Sequence, residues 1–322
     1  MGPTDRKLYG DGLVLGTVGE GISFPLFGTP RGGAFGSRAV SSGPRDDREA
    51  WFVERKGLRA RNRAQGARKG ERETYPRRGS ILITNDDGIS APGLVELERA
   101  LRKRYGGRIV TVAPAFQSTA TSRSISLLKA LRCDEIAPGR YAVEGTPVDC
   151  VLWGIRFLLK GDAALVISGI NHGPNLGHDI AYSGTVSAAL EAARLGIPAL
   201  AASLAAEKAE DFSEAVGYTM KFVRRLLRRP LPEGVAVSVN VPGGIPKGVR
   251  VTRPGNAMFA NKILERRDPF GRPYYWLAGG GRVRKRHEPG TDINAVLDGY
   301  ISVTPLDSDL FAPYTDLNFL EE

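Results

Sequence analysis

Residues 80–88 read SILITNDDG, an apolar run that ends in a polar turn. The first five residues are typical of a short buried β-strand, and the NDDG that follows has the composition of a turn. The apolar pattern returns four times further along the chain, as RIVTVA (108–113), ALVISGI (164–170), PALAAS (198–203) and AVSVNV (236–241). These runs are apolar throughout, so the sequence predicts strands that are buried on both faces.

Helical patterns lie between these strands, at Pro92–Tyr105, 186–196 and Asp211–Arg229. The first repeats Leu on one face, and the second is rich in Ala and ends at a glycine. For the third we predict Asp211 as the N-cap, with Glu214 completing a capping box. Apolar strands that alternate with helices are typical of a mostly parallel sheet covered on both faces. The sequence therefore predicts a doubly wound α/β domain over residues 80–242.

Two segments flank this domain. Residues 1–79 are rich in Gly, Ser, Pro and Arg and hold no lasting apolar periodicity, so we predict a disordered or non-native N-terminal extension. Residues 243–322 contain Gly and Pro turns, an aromatic cluster and a late strand, GYISVTP (299–305). They predict a β-rich C-terminal extension rather than a second core.

The formal charge is +10, from 45 Lys and Arg against 35 Asp and Glu. Such an excess favours a nucleic-acid or membrane-surface partner. Residues 1–79 hold 16 of the basic and 9 of the acidic residues, so most of the excess lies outside the predicted domain. A non-enzymatic nucleic-acid binder that uses this extension stays open as an alternative, which deletion of the extension would test. For the domain itself we expect no polynucleotide partner, and the basic stretch 282–286 favours either anionic substrates or a solvated arm.

Cysteine count and hydropathy exclude other classes. The chain has two cysteines, Cys133 and Cys150, which excludes a disulfide scaffold and a Cys-rich metal site. No apolar run reaches the roughly 18–20 residues of a membrane helix, and no basic region leads into an apolar one at the N-terminus. We expect a cytoplasmic protein without a membrane partner.

Polar loops follow three of the predicted strands, at 85–88, 114–122 and 168–175. In an open α/β sheet, ligands bind beyond the carboxyl ends of the strands. Asp86 and Asp87 repel each other there, and a divalent cation would relieve the repulsion. Oxygen ligands suit Mg²⁺, Mn²⁺ or Ca²⁺. The alternative is a solvated turn in which Gly88 supplies a positive φ, but the convergence of three loops favours the metal.

The other two loops add further polar groups. Asn171 and Asn175 offer amide oxygens, and His172 is a weaker candidate for a general acid. Ser183-Gly184-Thr185 precede a helix, whose N-terminal N–H groups would bind phosphate, although plain N-capping explains the same residues. A metal beside a phosphate cradle predicts metal-assisted hydrolysis of a phosphoester by an activated water.

Long ordered motifs match a known family: ILITNDDGISAPGL (81–94), GTPVDC (145–150), SGINHGPNLG (168–177) and YSGTVSAALE (182–191). Over about residues 80–312 the chain resembles the SurE (survival protein) family of nucleotidases. The resemblance implies a Rossmann-like α/β core with a C-terminal arm that joins a homodimer or homotetramer. It also implies divalent-metal-dependent phosphatase activity on nucleoside 5′- and 3′-monophosphates, with an exopolyphosphatase or broad phosphatase on the same site as the alternative.

Carried onto this chain, the family's single metal ion per subunit would be held by Asp86, Asp87, Thr119 and Asn171. Catalysis is assigned to Asp86, Asp87 and Asn171, and substrate binding to Asn85, Gly88, Asn175, Ser183, Gly184 and Thr185. The chain departs from the family at the second loop, where Thr119 replaces a Ser and Ala115 and Phe116 replace an Asp and an Arg. Substrate preference is therefore in question at this loop.

Other enzyme classes fit less well. A nucleotide-cofactor oxidoreductase needs a Gly-rich fingerprint after the first strand, where this chain has NDDG. A haloacid-dehalogenase-type phosphatase needs a DxD motif at the same point, which is missing.

Overall fold

The computed structural model describes residues 79–206, 211–256, 260–279 and 288–310. The predictions made for residues 1–78 and for the basic stretch 282–286 lie outside the described residues. Within the described part, no helix has the length and apolarity needed to cross a membrane.

The strands of the described residues are, in chain order, β1 Ser80–Thr84, β2 Ile109–Pro114, β3 Cys133–Ala137, β4 Arg140–Val143, β5 Ala163–His172, β6 Ala199–Ala205, β7 Val235–Pro242, β8 Val249–Val251, β9 Ala260–Arg267, β10 Pro273–Gly279 and β11 Ile301–Asp307. Nine of them form one sheet in the order β3-β4-β2-β1-β5-β6-β7-β11-β8. From β4 to β7 neighbouring strands are parallel, while β3 and β11 run antiparallel to their neighbours β4 and β7. The predicted fold class, a mostly parallel α/β sheet with added C-terminal strands, is confirmed.

The helices are α1 Pro92–Tyr105, α2 Pro147–Trp153, α3 Gly184–Arg194, α4 Ser213–Arg228 and α5 Asp292–Leu297. Strand β1 shows why the helices must cover both faces of the sheet. Its successive side chains alternate between the faces, so Ile81 and Ile83 join one apolar cluster with α1 and α4, while Leu82 joins another with α2 and α3. The apolar side chains of a strand buried on both sides therefore do not alternate with exposed polar ones, which is the pattern that the sequence showed.

The predicted start of α4 is wrong. The helix begins at Ser213 with Phe212 at the N-cap position and no side-chain cap. The Asp211 Oδ1 atom accepts a hydrogen bond from the Ser213 N–H at 2.7 Å, and no capping box with Glu214 forms. The reason is packing, because Phe212 is 3% exposed and its burial in the core decides where the chain turns into the helix.

Sequence patterns missed several short elements. The hairpin β3–β4 and helix α2 carry no strong periodicity, and β5 continues two residues further than expected, through Asn171 and His172. Beyond Pro242, β11 and β8 extend the main sheet, while β9 and β10 form a separate antiparallel hairpin. The C-terminal region is thus rich in strands, as expected, and part of it completes the core sheet.

Gly93 in α1 lets this helix contact the end of β5. A Cβ atom at Gly93 would clash with the carbonyl oxygen of Ile170, the residue before Asn171. We expect Gly93→Ala to lower the free energy of unfolding by about 1–3 kcal/mol, as overpacking does in other cores.

Gly217→Ala is the matched control, because Gly217 lies in α4 with nothing within 4 Å of the added Cβ. Alanine there should raise stability by about 0.5–1 kcal/mol through helix propensity. Urea denaturation of both variants measures the two effects, and equal changes would contradict this account of the α1–β5 contact.

Candidate active site at the carboxyl end of the sheet

Asp86 follows β1 and is 5% exposed. Its Oδ1 atom accepts a hydrogen bond from the Thr185 hydroxyl, and the Thr185 N–H also bonds to its carboxylate. Thr185 lies in the first turn of α3, where the helix dipole favours a negative charge. Burial nevertheless raises the pKa of Asp86 to about 6; the Thr185 hydrogen bond lowers it, and the charge of Asp87 adds to the increase.

Asp87 is half-buried, and its Oδ2 atom accepts a hydrogen bond from the His172 N–H at 3.0 Å. Burial raises the pKa of Asp87, and this hydrogen bond opposes the increase. The contact uses the backbone of His172, so it does not depend on an imidazole at that position. It links the end of β1 to the end of β5, two strands that are neighbours in the sheet.

The loop after β2 is held against this acid pair. The Ser118 N–H donates to the Asp86 carbonyl oxygen at 2.7 Å, and the Ile89 N–H donates to the Pro114 carbonyl oxygen at 2.8 Å. Thr119, the predicted metal ligand from this loop, is exposed to solvent. Thr121 of the same loop comes closer to α3, because its Oγ1 atom lies 3.1 Å from the Cβ position of Gly184. Sequence reasoning missed Thr121, because nothing in the sequence distinguishes it from the other hydroxyl residues of the run 118–122.

Gly184 permits the close approach of α3 to Asp86. A Cβ atom there would lie 2.9 Å from the Asp86 Cβ atom and 3.1 Å from the Pro147 Cγ atom. Ser183 is the N-cap of the helix, since its Oγ atom accepts a hydrogen bond from the Val186 N–H at 3.1 Å. The N-capping by Ser183 is therefore present. Phosphate binding at the N-terminus of α3 stays a prediction.

Asn171 and Asn85 flank the two acids. The Asn171 Nδ2 atom donates to the Gly173 carbonyl oxygen at 2.9 Å, which fixes the orientation of the amide. Asn85 is buried, with its Nδ2 atom donating to the Gly88 carbonyl oxygen at 2.8 Å. Within the described residues, its Oδ1 atom is buried and has no hydrogen-bond partner. Gly88 has a φ of 102°, the positive value expected of this turn.

Asn175 is hydrogen-bonded to two strands of the sheet. Its N–H donates to the Asn240 Oδ1 atom at 2.8 Å, Asn240 donates back to its carbonyl oxygen at 3.0 Å, and its Nδ2 atom donates to the Ser203 Oγ atom at 2.9 Å. These contacts fasten the loop after β5 to β6 and β7. The predicted contact of Asn175 with substrate stays a prediction.

Asp292, which sequence reasoning also missed, holds the same loop from the C-terminal region. Its side chain accepts hydrogen bonds from the Gly177 N–H at 2.9 Å and from the Gly255 N–H at 2.8 Å. Burial raises the pKa of Asp292. In the sequence, Asp292 is recognisable only as the start of the short helix α5. That position does not indicate a hydrogen bond with Gly177, which lies 115 positions earlier.

The side chains at this edge suit a hard divalent cation. Two carboxylates and an amide oxygen are the ligand chemistry that such a cation prefers. Burial raises the pKa values of Asp86 and Asp87, and hydrogen bonds from Thr185 and His172 oppose the increase. No group of three His, Cys, Asp or Glu side chains suited to a metal occurs in the part of the chain that the structure describes. The acid pair, with neutral amide and hydroxyl oxygens beside it, has the donor chemistry that would suit such a cation.

A family model described as "Survival protein SurE" matches residues 81–261. The chain belongs to the SurE family. The SurE resemblance expected from the motifs is thus confirmed, and the match covers β1 from Ile81 onward, both acids and the N-terminus of α3.

Similar proteins support the same family. A protein named "5'-nucleotidase SurE" from Anaeromyxobacter sp. (strain Fw109-5) is 45% identical over 231 residues, 71% of this chain and 90% of its own length. Another of that name, from Syntrophotalea carbinolica (strain DSM 2380 / NBRC 103641 / GraBd1), is 44% identical and is covered over 92% of its length. The crystal structure of the SurE protein from Aquifex aeolicus has a TM-score of 0.66 and 39% identity, and the match covers 76% of this chain and 100% of that one.

Thr185→Val removes the hydroxyl that Asp86 accepts from while keeping the side-chain shape. We expect the affinity for Mn²⁺, measured by calorimetry, to fall about 10–100-fold, as for other residues that orient metal ligands. Thr185→Ser keeps the hydroxyl and should bind Mn²⁺ as the wild type does. Equal Mn²⁺ affinity of the valine variant and the wild type would show that the Thr185 hydroxyl does not support a metal ligand.

Proposed function

We propose that this chain is a divalent-metal-dependent phosphomonoesterase that hydrolyses nucleoside 5′-monophosphates, and 3′-monophosphates, to nucleoside and phosphate. The observation that carries the proposal is the adjacent pair Asp86 and Asp87 at the end of β1, with Asp86 held at the N-terminus of α3. The nucleotide substrate is supported by the relatives named 5'-nucleotidase SurE.

Asp86, Asp87 and Asn171 would hold one metal ion per subunit, with the Thr119 hydroxyl as a further ligand. When bound, a divalent cation makes water a stronger nucleophile at neutral pH and offsets the negative charge of the phosphoryl oxygens. The hydrogen bonds from Thr185 and His172 orient the two carboxylates, so the acids present fixed oxygens to that cation.

The N-terminus of α3 would take the phosphate of the substrate. Of its first three N–H groups, that of Val186 bonds to Ser183 and that of Thr185 bonds to the Asp86 carboxylate. We therefore assign the phosphate to the Gly184 N–H, the first N–H group of α3. Ser183 orients this group as the N-cap, and Asn85 and Gly88 shape the turn opposite.

The substrate assignment is tested by phosphate release from nucleoside 5′-monophosphates, nucleoside 3′-monophosphates and inorganic polyphosphate, each with and without chelator. We expect release from the monophosphates that stops when the metal is removed. Dominant release from polyphosphate would instead favour the exopolyphosphatase alternative.

Asp86→Asn and Asp87→Asn test the site directly. Each should lower kcat/KM by more than about a hundredfold, since losing even a supporting group of a metal site costs up to that much. Asp134→Asn, at an exposed position on β3, is the control and should retain activity. Full activity of either site variant with added metal would refute the proposed mechanism.

We further propose a homodimer or homotetramer, assembled through the β9–β10 hairpin, in the cytoplasm. The hairpin exposes Ile263, Trp276 and Leu277 at 70%, 61% and 80%, an apolar surface that a second copy would cover.

Light scattering should therefore give at least twice the 34.7 kDa mass of one chain. The double variant Trp276→Glu and Leu277→Glu should lower that mass, whereas Ile136→Glu, on the exposed side of β3, should not. A monomeric wild type would contradict the assembly.

A further inference from the structure

A cavity of about 480 Å³ opens against the loop after β2, and its walls include Phe116, Ser118, Lys129, Glu144 and Thr146. This volume lies in the range of small-molecule sites. Ser118 connects the cavity to the candidate active site, because its N–H donates to the Asp86 carbonyl oxygen at 2.7 Å. A ligand whose phosphate binds at the α3 terminus could therefore extend into this space.

The wall that carries Phe116 is held by backbone contacts on both sides of it. The Ala115 N–H donates to the Val143 carbonyl oxygen at 2.7 Å, and the Ser118 N–H bonds to Asp86. Between them, the Phe116 carbonyl carbon and the Gln117 nitrogen lie 3.4 Å from the Cβ position of Gly88. Phe116 thus stands on a backbone that is packed against the NDDG turn.

The opposite wall is equally well defined. Thr146 is the N-cap of α2 and forms a capping box with Asp149, whose side chain also accepts the Ser126 N–H at 2.9 Å and the Ser126 hydroxyl at 2.8 Å. These bonds explain the TPVD part of the GTPVDC motif. They hold the segment 143–146 and the loop before β3 together around the cavity.

The chemistry of the cavity fits a neutral, flat group. The Phe116 ring is 78% exposed, although it lies on a well-anchored loop. Lys129 and Glu144 bring opposite charges to the same cavity, so it does not offer a second anion site. Proteins commonly bind a nucleobase by stacking it on an exposed aromatic side chain.

We propose that Phe116 is the platform on which the base of a nucleoside monophosphate stacks, with its phosphate at the Asp86–Asp87 end. The proposal rests on the proposed nucleotidase function and names the residue that selects nucleotides over other phosphomonoesters. Every base has a π-face that can stack on an aromatic ring, so Phe116 favours nucleotides as a class.

The test compares adenosine 5′-monophosphate with ribose 5-phosphate, which lacks the base. Binding is measured by calorimetry on the full chain in chelator, where no turnover occurs. Phe116→Ala should weaken binding of the nucleotide about tenfold or more and leave ribose 5-phosphate binding unchanged. Phe116→Tyr keeps a stacking ring and should bind the nucleotide as the wild type does.

Phe157→Ala removes another exposed phenylalanine, 69% exposed, outside the cavity, and should bind both compounds as the wild type does. In the presence of metal, Phe116→Ala should raise KM for the nucleotide with little change in kcat. Equal effects of Phe116→Ala on both compounds, or no effect on either, would overturn the proposal. A wild type that binds the nucleotide through Phe116 but releases no phosphate from it would instead refute the proposed function alone.

Discussion

The Asp86 carboxylate at the N-terminus of α3 is the interaction on which the rest of the site depends. Asp86 is almost fully buried next to a second acid, an arrangement that costs free energy unless donors or a cation offset it. Thr185 supplies a hydroxyl and an N–H, and Gly184 lets the helix come close enough to do so. Under the proposed function, a divalent cation would offset the charge that remains on Asp86 and Asp87.

Loops from distant parts of the chain are fastened around this pair. The loop after β2 bonds to Asp86 through Ser118, the end of β5 bonds to Asp87 through His172, and the following loop is tied down by Asn240 and Asp292. Asp292 lies beyond the core that the sequence delimited. The C-terminal region is thus part of what holds the site in place, which is consistent with strands β8 and β11 completing the main sheet.

The parts that could be predicted from sequence are those with local signals. The apolar strands, helices α1 and α3, the positive φ of Gly88 and the Ser183 cap each follow from residues that are close together in the chain. The parts that could not be predicted depend on long-range packing. Phe212 shifts the start of α4, Thr121 meets Gly184 across two loops, and Asn175 and Asp292 find partners 65 and 115 positions away. The local patterns of a single sequence do not indicate contacts between residues that are far apart in the chain.

The proposed mechanism requires Asp86 and Asp87 to hold a divalent cation together beside the N-terminus of α3. Anomalous diffraction from crystals of the full chain grown with Mn²⁺ tests it most directly. We expect a strong peak within ligand distance of both Asp86 and Asp87 and of the Asn171 amide oxygen. A strong peak elsewhere, with the two carboxylates left without a metal, would contradict it.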